Sequence, residues 1–266
     1  MFVWGLAVLA VVSVLAWLGW PLVSGLRPKP GAEVVKATPI PFAEPAGVAL
    51  RGGKVLVGDW QRQTLLEVAE DGAVTSVERV PNPNLTGLAF SDTALWTSDA
   101  GDGAVYEHSL EPGHAVLRAF KNKEHAPSAL AWSPPDRLWA ADLRTRQVYE
   151  YAVGEKLSLA RQVSLAGVQP AGLMASGDGL YILDARSRKL LRYRLTPQPE
   201  IEASLDLGAW LAPGCGPAGF ALDDKTLVVA TSEPPAVHRF DLAKLKWTAE
   251  TTAPQADGGV SGGMKQ

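Results

Sequence analysis

The sequence predicts an all-β fold: a five-bladed β-propeller, with a six-bladed ring as the alternative, carried on one N-terminal transmembrane α-helix. Two repeats and one apolar run predict it. A small-residue phrase occurs as Pro45-Ala46-Gly47-Val48-Ala49, Leu85-Thr86-Gly87-Leu88-Ala89, Pro127-Ser128-Ala129-Leu130-Ala131, Pro170-Ala171-Gly172-Leu173-Met174 and Pro217-Ala218-Gly219-Phe220-Ala221. The middle residues of these copies lie 40, 42, 43 and 47 positions apart. A period near 40 with short strands in each unit is the signature of propeller blades. A second strand follows each phrase: Val55 to Asp59, Leu95 to Asp99, Leu138 to Asp142, Leu180 to Asp184, and Leu227 to Thr231 in the last copy.

The first element is the apolar run. Phe2 to Val23 carries no charged side chain over 22 residues. As a helix it rises about 33 Å, enough to cross the hydrocarbon core. It is longer than the apolar stretch of a secretory signal and has no Lys or Arg before it. Trp4, Trp17 and Trp20 suit interfacial anchoring. Residues 1–23 are therefore expected to be an uncleaved anchor that inserts through positions 2–23.

Residues 24–44 form a tether punctuated by Pro28, Pro30, Pro39 and Pro41. Such tethers are extended and semi-rigid, which keeps the propeller near the bilayer. Within the tether, 34–40 reads as a spare strand that either closes the ring or opens a degenerate sixth blade. The propeller follows over 45–253. Unit one reads as strands at 47–50, 54–59, 64–69 and 74–80, and unit three as 128–132, 137–142, 147–152 and 159–165. Gly52-Gly53, Asp71-Gly72, Pro112-Gly113 and Pro134-Pro135 mark turns. The Gly- and Ala-rich strand is innermost, because side chains crowd at the axis. Residues 245–251 are expected as the outer strand of unit five, and the Gly-rich segment 254–266 as a flexible tail.

Composition narrows the function. A net charge of −3 gives no reason to expect nucleic-acid binding. A single cysteine, Cys215, excludes an internal disulfide and a cysteine-based metal cluster. His108, His114, His125 and His238 show no zinc-ligand spacing. No Ser–His–Asp arrangement, phosphate-cradling loop or carboxylate pair stands out as catalytic.

The second-strand phrases continue in a recognisable way. Leu138-Trp139-Ala140-Ala141-Asp142 leads into Arg146-Gln147-Val148-Tyr149-Glu150-Tyr151, and Leu180-Tyr181-Ile182-Leu183-Asp184 into Arg188-Lys189-Leu190-Leu191-Arg192-Tyr193. Both resemble NHL-type repeats, in a broad superfamily that includes lactonase- and gluconolactonase-type propellers. The resemblance implies the architecture; it leaves function open, because these folds host scaffolds, binding modules and hydrolases. Lactonase-type propellers hold a divalent cation on the axis with carboxylates and asparagines. That likeness implies Glu44 with Asn84, or Asn82, as calcium ligands here. Ser128, Ala171 and Ala218 stand where further ligands would be needed.

Asp59, Asp99, Asp142 and Asp184 share one slot at the end of the second strand. A carboxylate there can accept backbone N–H bonds in the following turn, with Thr231 as a weaker equivalent. A turn recurs from blade to blade; a catalytic carboxylate has no reason to. Trp96, Trp139 and Tyr181 also share a slot and are expected between blades, with Trp132 and Trp247 in or beside the sheets. Trp60 and Trp210 fall in loops and are candidates for external contact.

Propeller strands alternate in direction, so their loops segregate to two faces. One face gathers Arg62, Lys121, Lys123, Arg144, Arg146, Arg186 and Arg188, opposed by Asp102, Glu124 and Glu233. The other gathers Glu70, Asp71, Glu111, Asp136, Glu155, Asp178, Glu200, Asp223 and Asp224, against a few lysines and arginines. The basic face suits an acidic surface, either a partner subunit or anionic lipid headgroups.

The reading that follows is a membrane-anchored, non-enzymatic accessory or scaffolding subunit of a membrane complex, with no cofactor. One alternative is a metal-dependent hydrolase of lactones or esters. Another is a receptor for a small ligand or glycan in the axial funnel. The expected location is a bacterial-type cell membrane. Arg27, Lys29 and Lys36 after the span favour a cytoplasmic propeller, whereas anchored propellers of this appearance are commonly exported. The periplasmic side is the expectation, with the cytoplasmic side as its alternative.

Overall fold

Short apolar segments bounded by Gly, Pro and Asp form strands throughout the chain. The computed structural model describes residues 34–250 apart from 41–43, 166, 178, 197 and 198. The proposed span 2–23, with Trp4, Trp17 and Trp20, lies outside the described residues, as does the tail 254–266. Residues 1–35 form a unit of their own, of which only the last two residues are described. Among the described residues no helix is long and apolar enough to cross a membrane.

The strands make five antiparallel sheets. After β1 (Val35–Pro39), blade 1 runs β2 (Pro45–Arg51), β3 (Lys54–Asp59), β4 (Thr64–Val68) and β5 (Val74–Arg79). Blade 2 runs β6 (Gly87–Phe90), β7 (Leu95–Asp99), β8 (Ala104–His108) and β9 (Val116–Lys121). Blade 3 comprises β10 (Pro127–Ser133), β11 (Arg137–Asp142), β12 (Gln147–Val153) and β13 (Leu157–Ser164). Blade 4 comprises β14 (Pro170–Ser176), β15 (Gly179–Asp184), β16 (Lys189–Arg194) and β17 (Glu200–Asp206). Blade 5 has β18 (Pro217–Leu222), β19 (Thr226–Ser232) and β20 (Pro235–Asp241) from the end of the chain, with β1 as its outer strand. Among the described residues the ring has five blades, and the tether's strand β1 belongs to the fifth and does not open a sixth.

The outer strand of blade 5 corrects the expectation from sequence. Residues 245–251 do not supply it. A 3-10 turn at Leu242–Lys244, with Asp241 accepting the Ala243 N–H, diverts the chain. Thr248–Ala249 then forms β21, a fifth strand on blade 4, pairing with Ala203 and Ser204. The vacated edge is taken by β1, and Ile40 N–H donates to the Pro235 carbonyl at 2.9 Å. The first strand of the fold and the last blade therefore lock the ring together.

The inner strands pack at the axis with little room to spare. A Cβ on Gly219 would lie 2.8 Å from Gly47 Cα, and one on Gly87 would lie 2.8 Å from Ala129 Cα. Small residues recur in the phrase because backbone faces backbone there. The core lies between blades. Trp96, Tyr149 and Tyr151 share a buried cluster across blades 2 and 3, and Trp139 and Tyr193 share one across blades 3 and 4. The slot Trp96 and Trp139 occupy is thus an inter-blade packing position. Tyr181 meets Trp247 edge-on, with ring centroids 5.9 Å apart.

Candidate functional site

The repeated aspartates build one turn four times. Asp59 Oδ1 accepts the Arg62 N–H at 2.9 Å, and Asp99 Oδ1 accepts those of Gly101 and Asp102 at 2.9 and 3.0 Å. Asp142 Oδ1 accepts Arg144 and Thr145 N–H at 2.8 and 2.9 Å, while its Oδ2 accepts Ala126 N–H at 2.9 Å. Asp184 Oδ1 accepts Arg186 N–H at 3.1 Å and Gln169 N–H at 2.9 Å. In blades 3 and 4 the carboxylate therefore also fixes the approach to the innermost strand. Four residues after each aspartate the backbone turns left-handed, at Gln63, Gly103, Arg146 and Arg188. Their carbonyls accept N–H bonds from Val80, Asn122, Leu165 and Leu207, each just past its outer strand.

The fifth copy works differently. Thr231 Oγ1 donates to the Pro234 carbonyl at 3.0 Å and accepts no backbone N–H there. The Glu233 N–H already bonds to the Cys215 carbonyl, and Pro234 has no N–H to offer. The equivalence with aspartate does not hold at this position.

These turns position the cationic residues. Arg144, Arg146 and Arg186 are exposed on the β11–β12 and β15–β16 turns, and Lys121 and Lys123 on the β9–β10 connection. Lys121 lies 3.4 Å from Asp102, and Arg144 Nη2 donates to the Glu124 carbonyl at 3.2 Å. Arg62 lies 3.5 Å from the Asp59 carboxylate with its side chain half-exposed. Arg188 departs from the group. It is half-buried and donates through Nη1 to the carbonyls of Leu211 at 2.6 Å and Gly208 at 3.5 Å, bracing the connection to blade 5.

Trp60 is 46% exposed and Leu143 is 47% exposed. Both stand directly after their turn aspartates, on the basic face. Trp210 is half-buried, edge-on to Phe240 at 5.8 Å. Lys123, His125, Arg144 and Asp102 border a groove of about 350 Å³ between the turns of blades 2 and 3. The basic face is therefore an open, mainly cationic surface with two exposed apolar side chains. Sequence reasoning had not singled out Leu143, whose position after Asp142 matches that of Trp60 after Asp59.

The axis offers little space at this face. The ring of Ala46, Thr86, Ser128, Ala171 and Ala218 encloses about 10 Å³. Thr86 Oγ1 donates to the Pro127 carbonyl at 2.9 Å, and Ser128 Oγ to that of Ala141 at 3.1 Å. Asn84 Nδ2 donates to Asp99 Oδ1 at 3.1 Å, and Asn82 Nδ2 to Thr97 Oγ1 at 2.9 Å. Glu44 contributes its backbone carbonyl to the Trp60 N–H at 3.1 Å. Calcium takes six to eight oxygens, commonly several from carboxylates. The axial ring presents two engaged hydroxyls and no carboxylate, so this donor set does not fit the ion. At the opposite end, Leu50, Phe90, Trp132, Met174 and Leu222 line an apolar funnel of about 150 Å³.

The structure also joins histidines that the sequence leaves scattered. Asn82 donates to Thr97, whose Oγ1 lies 2.7 Å from His108 Nε2, and His108 Nδ1 lies 2.9 Å from the His114 carbonyl. A carbonyl accepts only, so Nδ1 carries the proton and Nε2 accepts from Thr97. Every bond in this chain is satisfied with His108 neutral. Burial pushes the His108 pKa down, and burial does the same for His238. Asn82, Thr97 and His108 are all fully buried, which makes this a packing network inside blade 2.

No protein-family profile and no curated protein sequence matches the chain. Solved structures do match its fold. Glutaminyl cyclase from Myxococcus xanthus superposes with a TM-score of 0.65 at 14% identity, covering 82% of this chain and 97% of the cyclase. A streptogramin B lyase structure gives a TM-score of 0.50 at 15% identity, covering 84% of this chain and 76% of the lyase. At such identities the likeness establishes the fold alone. The protein is a five-bladed β-propeller, and the solved structures that share its fold include enzymes.

Proposed function

We propose that this protein is a membrane-anchored, non-enzymatic accessory subunit that docks through its basic face on an acidic surface of a membrane-protein partner. One observation carries the reading: Lys123, Arg144, Arg146 and Arg186 are exposed on the same face as Trp60 and Leu143. Arginine suits carboxylate partners, and exposed aromatic or apolar side chains suit interface cores.

The reading needs no cofactor and places the propeller in the periplasm.

The test is purification of the full chain in mild detergent with mass spectrometry of its companions. Reversing Lys123, Arg144, Arg146 and Arg186 to glutamate is expected to abolish co-purification while leaving the melting temperature unchanged. Arg188 is left intact because it braces the fold. Unaltered association of the reversed protein overturns the proposal.

A second reading rests on the fold neighbours, a cyclase and a lyase by description. It is an enzyme of the lactonase or esterase type. Lactone or ester hydrolysis by the purified full chain would replace the accessory role.

A further inference from the structure

The seams between blades are filled unequally. Between blades 2 and 3, Trp96 stacks on Trp132 at 5.7 Å and shares a cluster with Tyr149 and Tyr151. Trp139 and Tyr193 fill the next seam, and Tyr181 with Trp247 occupies the one after it. The seam where the ring closes, between blades 5 and 1, is different. Strand register places Val228 in the slot of Trp96 and Leu50 in that of Trp132. Leu66 and Val68 replace Tyr149 and Tyr151. Four rings of one seam are thus aliphatic side chains in the other. A cavity of about 420 Å³ results, bordered by Leu50, Val55, Val68, Val228 and Arg239. That size falls within the range of about 300–1,000 Å³ typical of small-molecule sites.

Arg239 supplies the polar feature. It occupies the slot that Glu107 and Glu150 hold in blades 2 and 3, where each carboxylate pairs with an arginine of its outer strand. Its own Nη2 donates to the carbonyls of Val68 and Ala69 at 2.8 and 2.7 Å. Nη1 is buried and has no hydrogen-bond partner among the described residues. Glu70, which also borders the cavity, and Asp71 favour the charge of this guanidinium without an ion pair among the described residues, while burial, the larger effect, disfavours it. Other acids at the cavity are already engaged. Glu67 takes Lys54 at 2.8 Å, and Asp223 takes the Lys225 and Thr226 N–H groups at 2.8 and 2.7 Å. An under-neutralised guanidinium beside an apolar slot is a recognition element for a carboxylate, the anion with which arginine forms its strongest planar pairs.

We infer that the seam between blades 5 and 1 binds a small aromatic or heteroaromatic carboxylate, its ring against Val228 and Leu50 and its anionic group toward Arg239. This site lies apart from the basic docking face and does not depend on that reading.

Calorimetry on the full chain in detergent tests it, with indole-3-acetate as the probe and tryptamine as its cationic counterpart. Indole-3-acetate is expected to bind, and tryptamine to bind at least about tenfold more weakly. Val228→Trp restores the residue type of blades 2 and 3 and is expected to abolish binding without lowering the melting temperature. Should that variant fail to fold, Arg239→Lys keeps the charge, loses the fork, and is expected to weaken the carboxylate selectively. Absence of binding by indole-3-acetate overturns the inference. So does equal binding of tryptamine, or wild-type affinity in a folded Val228→Trp protein. Reversal of Lys123, Arg144, Arg146 and Arg186 should leave this binding intact.

Discussion

Asp142 shows how a buried carboxylate can be occupied entirely by its own backbone. It accepts the N–H groups of Ala126, Arg144 and Thr145. Asp142→Ala leaves those donors without their acceptor and is expected to destabilise the fold by about 3 kcal/mol, read from urea unfolding. Asp142→Asn keeps an acceptor oxygen and should lose less. His108 and His238 set a pH dependence. Burial lowers the pKa of His108 and His238 in the folded chain, so the unfolded chain binds more protons as pH falls. Their contribution to stability is complete above the ordinary value of about 6.5 and is lost as pH falls through it toward the folded values. A melting series in acid should therefore steepen below that point. A His108→Gln, His238→Gln double variant should show a flatter profile; an identical slope would assign the acid sensitivity to other groups.

At the scale of elements, the inner strand illustrates why the repeat was legible. Gly47, Gly87, Gly172 and Gly219 stand where backbones meet, so their spacing reports the blades directly. Gly219→Ala brings a methyl to 2.8 Å from Gly47 Cα and is expected to cost about 1–3 kcal/mol by overpacking. Gly52→Ala, with open space around it and a strained backbone, tests the separate conformational penalty. The turn role of the aspartates was equally readable, because turn chemistry is local. Ring closure was not. Residues 245–251 and 34–40 both alternate well enough to be strands, and local pattern cannot rank two candidates for one edge. The choice lies in Leu242–Lys244, whose 3-10 turn leads the chain to blade 4.

For the whole molecule, the alternation of strand directions sorts the loops to two faces and gathers Lys121, Lys123, Arg144, Arg146 and Arg186 on one of them. The docking proposed through Lys123, Arg144, Arg146 and Arg186 is expected to weaken as salt rises, since exposed charges are screened over about 8–10 Å. Association measured across an ionic-strength series should lose its slope in the charge-reversed protein. The sequence revealed which residues share the basic face, because topology assigns each loop to a side. It did not reveal that Arg188 braces Leu211, since that bond joins residues 23 positions apart. Nor did it reveal the cavity at Arg239, which exists through the pairing of blade 5 with blade 1. That closure also orders events in time. During synthesis β1 emerges before every other strand of the ring, yet its partner β20 is almost the last to leave the ribosome. The earliest strand must therefore wait with an unpaired edge while four blades assemble. The energetic reward for the longest loop in the fold arrives only at the final step.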